Sequence, residues 1–131
     1  MAEIKEWMTK IHEWTESNEW HPLTIEKELM DFHLKISDAW KEIGKGNGLV
    51  EVYFPSCKSC NYYGVKYRDV DMMVRLLKHV KDGHKPEGFP IEIADLVIRI
   101  LQTCAYHGID LDKYMEVKHT YNLTRLRARA K

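Results

Sequence analysis

The sequence predicts a mainly helical fold interrupted by one short ββα insertion, and three observations predict it. Apolar residues recur at helical spacing through most of the 131 residues. Gly and Pro punctuate that pattern at His21-Pro22, Gly44 to Gly48, Asp82-Gly83 and Gly108. One stretch, 49–84, changes to β-branched and aromatic residues with paired Cys and His. The length suits one core, so 1–131 reads as a single helical domain with 49–84 inserted in it.

The elements follow in order. Ile4, Trp7, Met8, Ile11 and Trp14 mark an amphipathic helix over about residues 2–17. Thr24 is the expected N-cap of a second helix carrying Ile25, Leu29, Phe32, Ile36, Ala39, Trp40 and Ile43. Leu49 to Phe54 and Tyr62 to Tyr67 have strand composition, separated by a turn over Pro55 to Cys60. Asp69 caps an expected helix through Val70, Met73, Leu76, Leu77 and Val80. Pro90 suits the first residue of the next helix, which is apolar almost all round from Ile91 to Cys104. A helix of that kind is buried on most sides, often by a partner subunit as well. Asp110 caps a last helix holding Leu111, Met115, Val117 and Tyr121.

Bulk properties narrow the class. Hydrophobic residues at 44% and charged residues at 31% are a globular balance. Twenty Lys plus Arg balance twenty Asp plus Glu, which argues against coating nucleic acid or membrane by bulk charge. A local basic end, Arg125 to Lys131, remains. No apolar run approaches the roughly 20 residues that span a bilayer, and the charged N-terminus lacks a signal-peptide core. The expected location is the cytoplasm, where three Cys read as thiols or metal ligands.

Chemistry concentrates first on the apolar helix. Glu92 and Asp95 lie three apart and share a face, with Arg99 one turn further on. Carboxylates in such a helix are costly unless paired or bound to a cation. Two adjacent carboxylates suit Mg²⁺, which takes oxygen ligands and bridges to substrate phosphates. The plainer alternative is that Glu92 faces solvent while Asp95 pairs with Arg99 or a lysine.

The run Lys85-Pro86-Glu87-Gly88-Phe89-Pro90-Ile91-Glu92-Ile93-Ala94-Asp95-Leu96-Val97-Ile98-Arg99-Ile100-Leu101 resembles the second metal helix of the MazG-like nucleotide pyrophosphohydrolases. Tyr106-His107-Gly108-Ile109-Asp110-Leu111 and Lys118-His119-Thr120-Tyr121-Asn122-Leu123-Thr124-Arg125 are similar in turn. So are the Trp-bearing first helix and the second helix with its Gly-rich end. The resemblance covers the chain except about residues 49–84. It implies an all-helical, oligomeric fold, here a homodimer or homotetramer, that hydrolyses nucleoside triphosphates to monophosphate and pyrophosphate. In that family a Glu-x-x-Glu and a Glu-x-x-Asp hold Mg²⁺. Glu92 and Asp95 match the second motif. Lys118, Tyr121, Asn122 and Arg125 stand where the family contacts phosphate and nucleotide.

The first motif falls on Lys35 and Asp38, so a Lys replaces a metal-binding Glu. An ammonium near Mg²⁺ is repulsive, and a ligand is lost. Lys35 can instead occupy the cation's place by pairing with Glu92 or Asp95, which leaves a weak or dead enzyme. Asp31, Asp38 and Glu42 recur along that face, and Asp38 with Glu42 can form a replacement pair. The Mg²⁺ ligands expected are therefore Asp38, Glu42, Glu92 and Asp95, with Asp38, Glu92 and Asp95 catalytic.

The insertion carries a second pattern. Cys57-Lys58-Ser59-Cys60 is followed after eighteen residues by His79 and, five on, His84. Thiolates two apart grip Zn²⁺, and two His near a helix end complete a tetrahedron. This looks like a Cys₂His₂ zinc finger with a longer gap, and four protein ligands make the zinc structural. Three functions are in view: a Mg²⁺-dependent nucleotide pyrophosphohydrolase, an inactive binding module of the same fold, and a zinc-finger nucleic-acid binder. The zero net charge and the single finger disfavour nucleic acid as a partner, and a membrane is not expected.

Overall fold

The structure, a computed structural model, describes residues 3–18, 24–55 and 73–130, with side chains as far as residue 125. Five helices appear among the described residues: α1 Ile4–Ser17, α2 Ile25–Gly44, α3 Met73–Lys81, α4 Phe89–Tyr106 and α5 Leu111–Ala130. The helical class and the order of the helices match the sequence reading.

The helix ends follow local chemistry. The Lys27 amide donates to Thr24 Oγ1 at 3.4 Å, and the Glu28 amide to the Thr24 carbonyl at 2.9 Å. Thr24 is thus the cap of α2, and Glu26 and Glu28 lie in its positive first turn. Gly46, at φ +80°, turns the chain out of α2. Asp110 caps α5 by accepting the Lys113 amide on Oδ1 at 3.3 Å. Pro90 enters the first turn of α4 one residue later than expected, because Phe89 already opens the helix.

The chain forms two units, Met1–Glu28 with Ile98–Lys131, and Leu29–Val97. In the first, α1 packs against α5. Ile11, Thr15, Leu101, Thr103 and Cys104 are buried there. Glu28 is wholly buried and takes Arg99 by two hydrogen bonds, from Nε and Nη2, each 3.0 Å. Cys104 is a buried thiol, and burial pushes its pKa up.

In the second unit, Ala39, Val52, Phe54 and His79 are buried. The strand expected over Leu49 to Phe54 is reduced to an isolated antiparallel bridge, and its partner is Glu87. The Tyr53 amide donates to Glu87 O at 3.0 Å, and the Glu87 amide returns to Tyr53 O at 2.8 Å. The ββα insertion is corrected accordingly: no strand forms among the described residues, since Tyr53 pairs with the lead-in to α4. The second expected strand, Tyr62 to Tyr67, lies outside the described residues, whereas the helix of the motif is present as α3.

The bridge explains Gly88. Its φ is +131°, and a Cβ there would sit 2.2 Å from the Glu51 carbonyl oxygen. Only glycine allows the 51–54 segment to cross so close to the start of α4. α4 itself is less buried than its composition predicts, since Ile93, Val97 and Ile98 remain exposed.

Candidate functional site

The second unit gathers the carboxylates singled out in the sequence. Asp38 and Glu42 come from α2, and Glu92 and Asp95 from α4. Burial raises the Glu92 carboxyl above its ordinary value, and the negative charges of Asp38, Asp95 and Glu42 push it further. Lys85 opposes that shift. Burial and the surrounding negative charge therefore disfavour the ionised form of Glu92.

Lys35 lies on α2 one turn before Asp38, and its Nζ donates to Asp95 Oδ2 at 2.9 Å. The lysine side chain is 22% exposed and the aspartate 53%. Such a half-solvated pair contributes about 0–1 kcal/mol to folding, so its main consequence is for the charge of the site. Asp38 has a longer contact with Lys41, 3.7 Å away on its own helix.

Glu42 is the best-held of the four. Its Oε2 accepts the Tyr53 hydroxyl at 2.8 Å and Asn47 Nδ2 at 3.3 Å. Its Oε1 accepts Lys45 Nζ at 3.1 Å. Burial pushes this carboxyl up, but the bonds from Tyr53, Lys45 and Asn47 outweigh it and leave it below its ordinary value. Tyr53 is raised by its own burial and by donating to Glu42.

These engagements bear on the expected Mg²⁺ set. Hard oxygen donors are present in the right chemical class. However, among the described residues no three His, Cys, Asp or Glu side chains form a group that could hold a metal ion. Asp95 is bonded to Lys35, and Glu42 to Tyr53, Asn47 and Lys45. Arg99, the other suggested partner of Asp95, is committed to Glu28 instead.

The two His of the insertion do meet. His79 Nδ1 and His84 Nδ1 are 2.9 Å apart. The His79 ring stacks on Phe54 with centroids 4.3 Å apart and planes 16° apart. Burial, and then the neighbouring His84, hold the His79 pKa below its ordinary value, which favours the neutral imidazole that ligates zinc. Two nitrogens on tetrahedral zinc stand about 3.3 Å apart, so this pair needs only a small opening to fit. Cys57 and Cys60 lie outside the described residues.

The expected nucleotide contacts, Lys118, Tyr121, Asn122 and Arg125, belong to the first unit and form one exposed stripe on α5. Lys118 Nζ lies 4.9 Å from the Tyr121 ring centroid. The sequence reading missed the Tyr53–Glu42 bond and the Glu28–Arg99 pair. No periodic pattern marks either, because each joins residues distant in sequence.

No family model, curated protein or solved structure matches this chain.

Proposed function

We propose that this protein is a MazG-like nucleotide pyrophosphohydrolase, splitting nucleoside triphosphates to monophosphate and pyrophosphate, with a Mg²⁺ site attenuated by Lys35. The carrying observation is that Asp38 and Glu42 of α2 and Glu92 and Asp95 of α4 fall within one unit, with Lys35 bonded to Asp95. The resemblance selects Asp38, Glu92 and Asp95, and helical spacing adds Glu42. Mg²⁺, when bound, neutralises phosphate oxygens and activates or orients a water. Glu92 and Asp38 are the donors least committed to other side chains, and Asp95 joins them when Lys35 leaves it. Lys118, Asn122 and Arg125 are assigned to phosphate oxygens and Tyr121 to the nucleotide. Pyrophosphate release from a panel of NTPs and dNTPs tests this. Release that ignores Mg²⁺, or that Asp95→Ala leaves unchanged, contradicts it.

The Lys35–Asp95 bond favours a second reading, an inactive nucleotide-binding module of the same fold. In that case Lys35→Glu restores cation binding without turnover. We also assign a structural zinc to Cys57, Cys60, His79 and His84, supported by the facing imidazoles. Association into a homodimer or homotetramer is supported by the exposed stripe Leu29, Ile36, Trp40 and Ile43 on α2. A monomer mass in sedimentation equilibrium would contradict it.

A further inference from the structure

The zero net charge of the whole chain conceals an uneven distribution. From residue 113 onward, Lys113, Lys118, Arg125, Arg127, Arg129 and Lys131 stand against a single acidic residue, Glu116. Six positive charges and one negative give that stretch +5 with His neutral. It lies on α5, where every side chain from Lys113 to Arg125 is exposed.

Two tyrosines are interleaved with this charge. Tyr114, Lys118, Tyr121 and Arg125 lie within about 60° of one another around the helix at 3.6 residues per turn. Ring and cation therefore alternate along one face for about 16 Å. Both rings are more than half exposed, 58% for Tyr114 and 53% for Tyr121. Lys118 Nζ sits 4.9 Å from the Tyr121 centroid. Neither Lys118 nor Arg125 has a carboxylate partner among the described residues. The exposed apolar residues Met115, Val117 and Leu123 point to different sides of α5, so the helix has no apolar stripe to lay on a membrane.

We propose that this face of α5 binds single-stranded nucleic acid, with bases stacked on Tyr114 and Tyr121 and phosphates on Lys118 and Arg125. Unpaired bases offer their π-faces to exposed rings, whereas in a duplex those faces are already stacked. At about 3.4 Å per stacked nucleotide, the face spans about four nucleotides, more than the one assigned above to Lys118, Tyr121 and Arg125. The proposal goes beyond that assignment and does not depend on the carboxylates of α2 and α4.

A fluorescein-labelled oligothymidylate of about 20 nucleotides is the probe, followed by anisotropy with the full chain at about 50 mM salt. Wild type should bind it more tightly than a duplex of equal length. Tyr114→Leu keeps the charge of α5 and a good helix former, and should weaken binding about fivefold or more. Tyr114→Phe keeps the ring and should bind like wild type. Lys118→Gln should make the log–log salt dependence shallower by about 0.7. No binding by wild type overturns the proposal, as does binding that Tyr114→Leu leaves unchanged, the behaviour of a merely solvated basic helix. A duplex bound as tightly as the strand, equal attachment to phosphatidylserine vesicles, or displacement of the strand by equimolar dTTP also overturns it. Strand binding without pyrophosphate release from any nucleotide removes the enzymatic reading alone, and release without strand binding removes this proposal alone.

Discussion

Lys35 Nζ donates to Asp95 Oδ2 across 2.9 Å, joining α2 to α4 within one unit. The ammonium sits on a carboxylate that the resemblance assigns to Mg²⁺. A unit charge about 4 Å from a divalent ion is repelled by about 8 kcal/mol at an effective dielectric constant near 20. Lys35 has to swing away before a cation can use Asp95. Lys35→Glu removes that barrier and adds a donor, so Mn²⁺ or Mg²⁺ affinity should rise by about tenfold or more, read by calorimetric titration. Without a divalent cation the variant should be less stable than wild type, since a carboxylate then faces Asp95 in place of the ammonium. An affinity unmoved by the substitution would mean that Lys35 does not control the site.

Glu92 makes a prediction with a definite sign. Its pKa is raised in the folded state by burial and by Asp38, Asp95 and Glu42. The folded protein therefore holds the proton more tightly than the unfolded chain. That contribution to stability is fully present below the unfolded carboxyl pKa and is lost as pH rises through the higher folded value. Glu92→Gln should melt about 2–4 °C above wild type at pH 7, and the gap should close toward pH 4. A variant less stable than wild type at pH 7 would contradict the crowding of negative charge described here.

Gly88 tests the crossing of the 51–54 segment over the start of α4. Alanine would meet both an unfavourable φ of +131° and a carbonyl oxygen 2.2 Å away. Gly88→Ala should cost about 3 kcal/mol or more in chemical denaturation. A loss below about 1 kcal/mol would mean that the segment does not pass as closely as described.

Much of this architecture was legible in the sequence, for local reasons. Thr24 and Asp110 announce helix starts because their side chains cap amides three residues on. Glu92 and Asp95 could be placed on one face because helical spacing is regular. Lys35 was legible as a departure, and its pairing with Asp95 was one of the outcomes that departure allowed. Other features depend on contacts between distant residues. The first expected strand is reduced to the Tyr53–Glu87 bridge because pairing partners are chosen by tertiary approach, which strand composition does not encode. Tyr53 lies in a stretch of strand composition, and nothing in its spacing marks the bond its hydroxyl makes to Glu42. Arg99 looks like a partner for Asp95 by spacing, yet the wholly buried Glu28 claims it.

The facing imidazoles of His79 and His84 call for a metal analysis. Purified wild-type protein should carry about one zinc per chain, and Cys57→Ser or His84→Ala should carry much less. Equal zinc in wild type and in both variants, or none in wild type, would contradict the assignment.

The carboxylates of α2 and α4 are proposed to serve a Mg²⁺-dependent nucleotide pyrophosphohydrolase restrained by Lys35. Pyrophosphate release from each NTP and dNTP, with and without Mg²⁺, tests it most directly when wild type, Lys35→Glu and Asp95→Ala are compared. The account predicts slow Mg²⁺-dependent release by wild type, about tenfold faster release by Lys35→Glu, and loss of release in Asp95→Ala. No release from any nucleotide by either wild type or Lys35→Glu would contradict it.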